Sequence, residues 1–194
     1  WEGLASRMAQ EIKNPLVAIN TFAQLLPRKY ESADFRAAFS RVVQEEVDRI
    51  NRVVETLYQF AREPELQLQQ LDVKTTVREV VDTFAKAVAE KGIEFDSQLQ
   101  ETPLSAEIDP DAFKLVLQNL MQNAVDALPA GGRVSVSAAS SPHGIEIRVE
   151  DSGGGISGDE TKKVFEPFYS SKERGTGLGL SLAKKLVEAH YGTL

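Results

Sequence analysis

The chain contains no cysteine. That excludes a disulfide framework and a thiolate metal site. It has only two histidines, His143 and His190, too few for a histidine-rich metal centre. No apolar run approaches the roughly 18 residues that suggest a membrane span, and no secretion signal is visible. Positive charge is also short. The 22 Lys and Arg stand against 29 Asp and Glu, a net charge of −7, which argues against a nucleic-acid-binding surface. What remains is a composition of 42% hydrophobic and 26% charged residues over 194 positions, as in a soluble protein of one or two domains. The start at Trp1, without Met, reads as part of a longer protein. This portion is expected to be cytoplasmic, with membrane attachment of the parent left open.

Residues 1–63 carry no strand signal. Apolar residues recur at Leu4, Met8, Ile12, Leu16, Ile19, Ala23 and Leu26, in the three- and four-residue steps of one helix face. A second series, Phe35, Phe39, Val43, Val47, Ile50, Val54, Leu57 and Ala61, is close to a heptad seam. Pro27 and the polar stretch to Asp34 separate the two series, and Asp34 is a candidate cap for the second helix. The pattern predicts a helical hairpin, kinked at Pro15. Such a hairpin cannot bury both apolar faces alone, so a homodimer with a four-helix bundle is the physical expectation.

Pro64 and the Gln-rich stretch to Gln70 mark a boundary between residues 1–64 and 65–194. Beyond it, Val73 to Lys91, Asp111 to Leu128 and Leu178 to Ala189 read as helices. Ile93 to Leu99, Val134 to Ser137 and Ile145 to Val149 alternate as half-buried strands do, the last two joined by the turn residues Ser141-Pro142-His143-Gly144. Helices grouped with an antiparallel sheet make an α+β sandwich.

Four separated motifs carry the chemistry. In Asn119-Leu120-Met121-Gln122-Asn123-Ala124, two carboxamides four apart share a helix face. Amide oxygens suit Mg2+, a hard cation that prefers oxygen ligands. Asp151-Ser152-Gly153-Gly154-Gly155-Ile156 follows a strand. A carboxylate there can accept from an exocyclic amine such as adenine's, and the glycines let backbone approach a flat ring. Val164-Phe165-Glu166-Pro167-Phe168-Tyr169-Ser170-Ser171-Lys172 places apolar anchors before a short polar segment with the look of a lid, and Lys172 is placed to reach a terminal phosphate. Gly175-Thr176-Gly177-Leu178-Gly179-Leu180 leads into a helix, whose N-terminal amides attract an anion. Each is weak in isolation: an Asn pair is more often a solvated face, and a glycine-rich loop is a common false positive.

In this order the four resemble the N, G1, F and G2 boxes of the histidine-kinase ATP-binding domain, of the superfamily shared with DNA gyrase, heat-shock chaperones and mismatch-repair ATPases. The run Gln10-Glu11-Ile12-Lys13-Asn14-Pro15-Leu16 resembles the H-box of bacterial sensor histidine kinases. The resemblance covers nearly the whole chain. It implies a hairpin that forms a four-helix bundle on dimerisation, followed by an α+β sandwich of the Bergerat type. It implies ATP and Mg2+ as cofactors, with Asn123 as the main metal ligand and Asn119 its helper. Asp151 would meet adenine beside Gly153, Gly155 and Ile156, with Asp126 and Phe165 also at the nucleotide. Residues Gly175, Thr176, Gly177, Leu178, Gly179 and Leu180 would line the phosphates, and Lys172 would meet the γ-phosphate. The ATP-hydrolysing relatives carry a water-activating Glu where this chain has Asn119, so a phosphotransfer role rather than steady hydrolysis follows. The partners implied are a second copy and a response-regulator receiver domain, with the sensor region absent and no nucleic acid.

One departure falls at the reacting position. The family's phosphoacceptor His is replaced by Gln10. Imidazole has a ring nitrogen with a free lone pair, whereas a carboxamide nitrogen delocalises its own into the carbonyl. Gln keeps a donor and an acceptor at similar size. Glu11 stands where the family has a general base or hydrogen-bond partner, and Asn14 shares the face of Gln10, where similar kinases position water to dephosphorylate a regulator. The chain is therefore expected to bind Mg-ATP and to fail at autophosphorylation, with phosphatase activity left open. Gln10 has two readings: a deliberate replacement that blocks turnover, or a natural pseudokinase serving as a nucleotide-gated dimeric module. A second departure is that the chain stops at Leu194, where the family would begin its final β-hairpin.

Overall fold

The computed structural model describes residues 2–89, 91–128, 131–158, 160–170, 172 and 177–194. These form two compact units, one of Trp1–Arg62 with Pro167–Leu178, the other of Glu63–Glu166 with Gly179–Leu194.

The first unit is built on the hairpin of α1 (Glu2–Lys29) and α2 (Ala33–Ala61). The three- and four-residue apolar steps produce both helices, as expected. Helix α1 runs through Pro27 rather than stopping there. Proline leaves the Ala23 carbonyl without its helical donor, and Ala23 is exposed, so water can serve instead. The cap of α2 is Ser32, not Asp34: its hydroxyl accepts from the Phe35 N–H at 3.3 Å. Asp34 sits in the first turn, where its charge suits the helix dipole. At the turn, the Arg36 guanidinium donates to the Tyr30 and Glu31 carbonyls at 2.6 and 3.1 Å. Phe22 stacks on Phe35 with ring centres 5.9 Å apart, and Phe39 tilts against both. Leu16, Val17, Val47, Val54 and Tyr58 stay exposed in the single chain. The side chain of Leu4 lies outside the described residues.

The second unit contains β1 (Gln69–Asp72), α3 (Val73–Ala89), β2 (Glu94–Leu99), β3 (Ser105–Ile108), α4 (Pro110–Asp126), β4 (Arg133–Ser141), β5 (Gly144–Asp151) and α5 (Gly179–Ala189). Its main sheet has the order β2-β4-β5. The sheet is mixed rather than purely antiparallel: β4 and β5 form the expected hairpin, but β2 runs parallel to β4, Phe95 opposite Val134. A parallel neighbour needs a crossover, which β3 and α4 supply. Strands β1 and β3 pair separately, with Gln69 opposite Ile108.

Alternation along β4 turns Val134, Val136 and Ala138 into the core. Helices α3 and α4 cover that face with Val77, Val80, Val81, Leu117 and Met121. Complete burial of each large side chain is worth roughly 1.5–3 kcal/mol. Helix α4 has a second apolar face, where Val116 meets Leu182, Ala183 and Leu186 of α5. It is thus the central element, held by the sheet layer on one side and α5 on the other. A buried lysine secures the margin. Lys74 Nζ donates to the carbonyls of Gln100, Glu101 and Thr102 at 3.0, 2.9 and 2.8 Å. Asp72 Oδ2 lies 3.7 Å from the same ammonium.

Candidate functional site

Helix α4 positions the paired amides. Asn119 Nδ2 donates back to the Leu115 carbonyl at 2.8 Å, which fixes the side chain. Its Oδ1 then lies at the start of α5, 2.7 Å from where a Cβ on Gly179 would be. An amide held by its nitrogen with its oxygen presented at a helix N-terminus fits a hard cation carrying phosphates. Asn123 is half-buried one turn further on. Asp126, in the last turn, accepts from Gln122 Nε2 at 2.7 Å.

The carboxylate motif leaves the end of β5. Asp151 is exposed, and its Oδ1 accepts the Gly153 N–H at 2.8 Å. Ser152 locks this exit to β4: its hydroxyl accepts the Arg133 N–H at 2.9 Å and its N–H donates to the Arg133 carbonyl at 3.0 Å. A Cβ at Gly153 would stand 2.7 Å from both the Ala127 carbonyl oxygen and Asp151 Oδ1. Gly153 is therefore the point where the strand exit passes the C-terminal cap of α4. Gly155 has φ +72°, and Ile156 beyond it is exposed. Phe165 lies in a run of turns with Lys184 Nζ 5.4 Å from its ring centre. Gly179 and Leu180 open α5, as the glycine-rich motif predicts.

The remaining site residues belong to the first unit. The Phe168 N–H donates to the Gly177 carbonyl at 2.8 Å. Both residues have positive φ, 65° and 64°. Lys172 is half-buried, and its N–H donates to Ser170 Oγ at 3.1 Å. Leu178 is fully buried. Gly175 and Thr176 lie outside the described residues. In α1, Gln10 Nε2 donates to Asn14 Oδ1 at 2.8 Å, so the two residues assigned to one face do meet.

Two residues, Arg49 and Asp109, escaped the sequence reasoning, while His190, read there only as one of two scattered histidines, turns out to be tied to Asp109. Arg49 of α2 places Nη2 3.2 Å from Glu11 Oε2, a pair with 17% and 23% of its side-chain surface exposed. An i,i+4 search cannot find a partner 38 positions away. Asp109 caps α4, accepting the N–H groups of Asp111 and Ala112 at 3.0 and 2.9 Å. His190 is tied at both nitrogens: Nε2 accepts the Asp109 N–H at 3.0 Å and Nδ1 lies 2.7 Å from the Leu186 carbonyl. A carbonyl can only accept and a backbone N–H can only donate, so these contacts place a proton on Nδ1 and make Nε2 the acceptor. Among the described residues there is no group of three or more His, Cys, Asp or Glu that could hold a metal ion.

Comparison with known proteins gives these features a family. Residues 1–65 match the His Kinase A (phospho-acceptor) domain. Residues 108–194 match the family of histidine kinase-, DNA gyrase B- and HSP90-like ATPases. The chain is 34% identical over 191 residues to the sensor histidine kinase ZraS of Escherichia coli (strain K12), covering 98% of this chain and 41% of that protein. It spans about two fifths of that relative's length. The catalytic domain of histidine kinase ThkA aligns with a TM-score of 0.60 and 30% identity, over 64% of this chain and 82% of that one. The structure of ThkA in complex with the response regulator protein TrrA aligns over 98% of this chain and 55% of that one, with a TM-score of 0.84 and 25% identity. The chain belongs to the histidine kinases, with a phosphoacceptor-type helical hairpin followed by an ATPase domain of the gyrase and HSP90 kind.

Proposed function

We propose that this chain binds ATP with Mg2+ and that Gln10 stops it from phosphorylating itself. With His at position 10, the γ-phosphoryl would pass to the imidazole and then to an Asp of a response-regulator receiver domain. Catalysis of such a transfer consists mostly of positioning and charge neutralisation. Asn123 and Asn119 would hold the metal, Asp151 would take the adenine amine, and Lys172 with the glycine-rich segment 175–180 would meet the phosphates. Asn119 supplies no base for water, so turnover by hydrolysis stays low. Two copies would join through the apolar residues left exposed on the hairpin, Val47, Val54 and Tyr58 among them. ThkA, solved with TrrA, supports the choice of a receiver domain as partner.

The observation that carries this reading is local. Gln10 keeps a donor aimed at Asn14, 2.8 Å away, while offering no nucleophilic nitrogen. The surroundings of the position are kept and its reactivity is absent. That also supports the second reading, a pseudokinase that uses nucleotide only to set its conformation. Incubation with γ-labelled ATP separates them. Acid-labile label on Gln10→His and none on the unchanged chain is expected. Label on neither, with nucleotide bound by both, favours the pseudokinase. Steady phosphate release by the unchanged chain would contradict both.

A further inference from the structure

Asp109 makes more contacts than a helix cap requires. Its Oδ1 alone satisfies the N–H groups of Asp111 and Ala112 at the start of α4. Its Oδ2 is turned the other way and accepts the Gln67 N–H at 2.8 Å. Gln67 belongs to the extended stretch between Arg62, the C-cap of α2, and β1. The backbone N–H of Asp109 is bonded to His190, just past the end of α5. One residue thus joins the linker, the helix that bears both candidate metal amides, and the helix opened by Gly179. Burial works to raise the Asp109 carboxyl pKa. The N–H groups of Ala112, Gln67 and Asp111 outweigh it and hold the carboxyl below its ordinary value.

The residue type is informative. Ser, Thr, Asn and Asp all cap helices comparably, since one oxygen suffices. A second acceptor on the opposite side exists only in the carboxylate. An Asn here could satisfy the α4 amides or the linker, not both. We propose that Asp109 is a positioning residue that couples the linker to α4, so that the Gln67 contact and the seating of Mg-nucleotide at Asn119 and Asn123 depend on each other. Those amides lie about three and four turns along a helix whose start Asp109 holds. A rigid helix clamped between sheet and α5 moves as a body, so a shift of its first turn is felt at its far end. Linkage makes the coupling reciprocal: nucleotide must tighten the linker contact by the factor with which that contact tightens nucleotide. This inference rests on the reading of Asn119 and Asn123 as metal ligands.

The test is amide hydrogen exchange at Gln67 in the whole chain, with and without saturating Mg2+ and a non-hydrolysable ATP analogue, beside calorimetric affinities. In the unchanged chain the analogue should slow Gln67 exchange about fivefold or more, the lower end of usual coupling between linked sites. In Asp109→Asn, which keeps the cap, exchange should be fast and indifferent to nucleotide, and affinity should weaken by the same factor. Gln67→Pro removes the donor from the other side and leaves α4 untouched, so it should reproduce the affinity loss if Asp109→Asn folds poorly. A purely structural cap would lower the melting temperature yet leave affinity within twofold. Gln67 exchange that ignores bound nucleotide in the unchanged chain overturns the coupling alone. Absence of nucleotide binding by the unchanged chain overturns the metal-site reading and the coupling with it.

Discussion

Replacing Gly153 by Ala tests the adenine assignment of Asp151 with a single methyl group. The added Cβ would stand 2.7 Å from the Ala127 carbonyl oxygen and 2.7 Å from Asp151 Oδ1. Both are well inside the ~3.5 Å at which such contacts become attractive. The Ala127 side gives little, because its own N–H is bonded to the Asn123 and Ala124 carbonyls, each at 3.1 Å. The Asp151 side chain is the part that can swing, and in doing so it gives up the 2.8 Å bond from the Gly153 N–H. Overpacking of this kind costs about 1–3 kcal/mol. A displaced carboxylate forfeits its bond to the base, worth about 1.5–3 kcal/mol for a charged acceptor. Affinity for a Mg-bound adenine nucleotide should therefore fall roughly 10- to 100-fold. Discrimination against the guanine analogue should collapse, since guanine offers that carboxylate a carbonyl instead of an amine. Calorimetric titration with both analogues, beside a melting curve, reads the effect. Adenine affinity within twofold of the unchanged chain, with the fold intact, would refute the assignment, as would equal weakening for both bases.

Lys74→Met should destabilise the second unit by about 2–4 kcal/mol, because three loop carbonyls lose a buried charged donor at once. Hydrogen exchange in peptides covering 69–108 would show it, and a change below about 0.5 kcal/mol, the level of an unremarkable surface substitution, would contradict the role given to that ammonium. Acid should weaken the same unit. For Asp72, burial raises the carboxyl pKa, but the N–H groups of Leu104 and Lys74 and the nearby Lys74 and Arg78 charges bring it below 3.8 overall, and Asp109 is lowered too. Depressed carboxylates contribute stability that is present above the unfolded value of 3.8 and lost as pH falls through the lower folded values. Stability measured across pH 6 to about 2 should therefore drop mainly below about 4, and Asp72→Asn with Asp109→Asn should flatten that limb. Gly177→Ala should break the Phe168–Gly177 hydrogen bond, since its φ is +64° and the new Cβ meets the Phe168 backbone itself. Faster exchange at the Phe168 amide, with the second unit unchanged, is the expected signature.

Local regularities carried most of the fold in the sequence. Helices α1 to α5 follow from three- and four-residue apolar steps, and the β4–β5 hairpin follows from alternation around Pro142-His143-Gly144. The strands β1 and β3 have no such signal. Gln69-Gln70-Leu71-Asp72 reads as polar linker, and it becomes a strand only because Ser105–Ile108, more than thirty residues away, supplies its hydrogen bonds. The parallel pairing of β2 is hidden for the same reason, since register between strands is a property of both. Site contacts divide likewise. The Gln10–Asn14 bond is one helical turn and can be read directly. The Glu11–Arg49 pair and the Gln67–Asp109 bond span 38 and 42 positions, and a single sequence holds no trace of them.

The glycine motifs were the weakest evidence singly, because glycine serves both flexibility and close packing, and a sequence does not say which. In the structure the two uses separate. Gly155 has a positive φ and open space around it, so it is there for backbone conformation. Gly153 and Gly179 carry no such φ but lack room for a methyl group. Each of the two lies against a candidate site side chain on the other motif or its own, Gly179 against Asn119 and Gly153 against Asp151. The spacing of these glycines is then set by where the polar groups must stand, and a Cβ at either position would move an amide or a carboxylate before it strained a loop. That is why Asn119 cannot be considered apart from Gly179. An amide bonded to Leu115 on one side and walled by α5 on the other has one orientation left, and a longer acid at position 119 would need the room that Gly179 has already given to the shorter side chain.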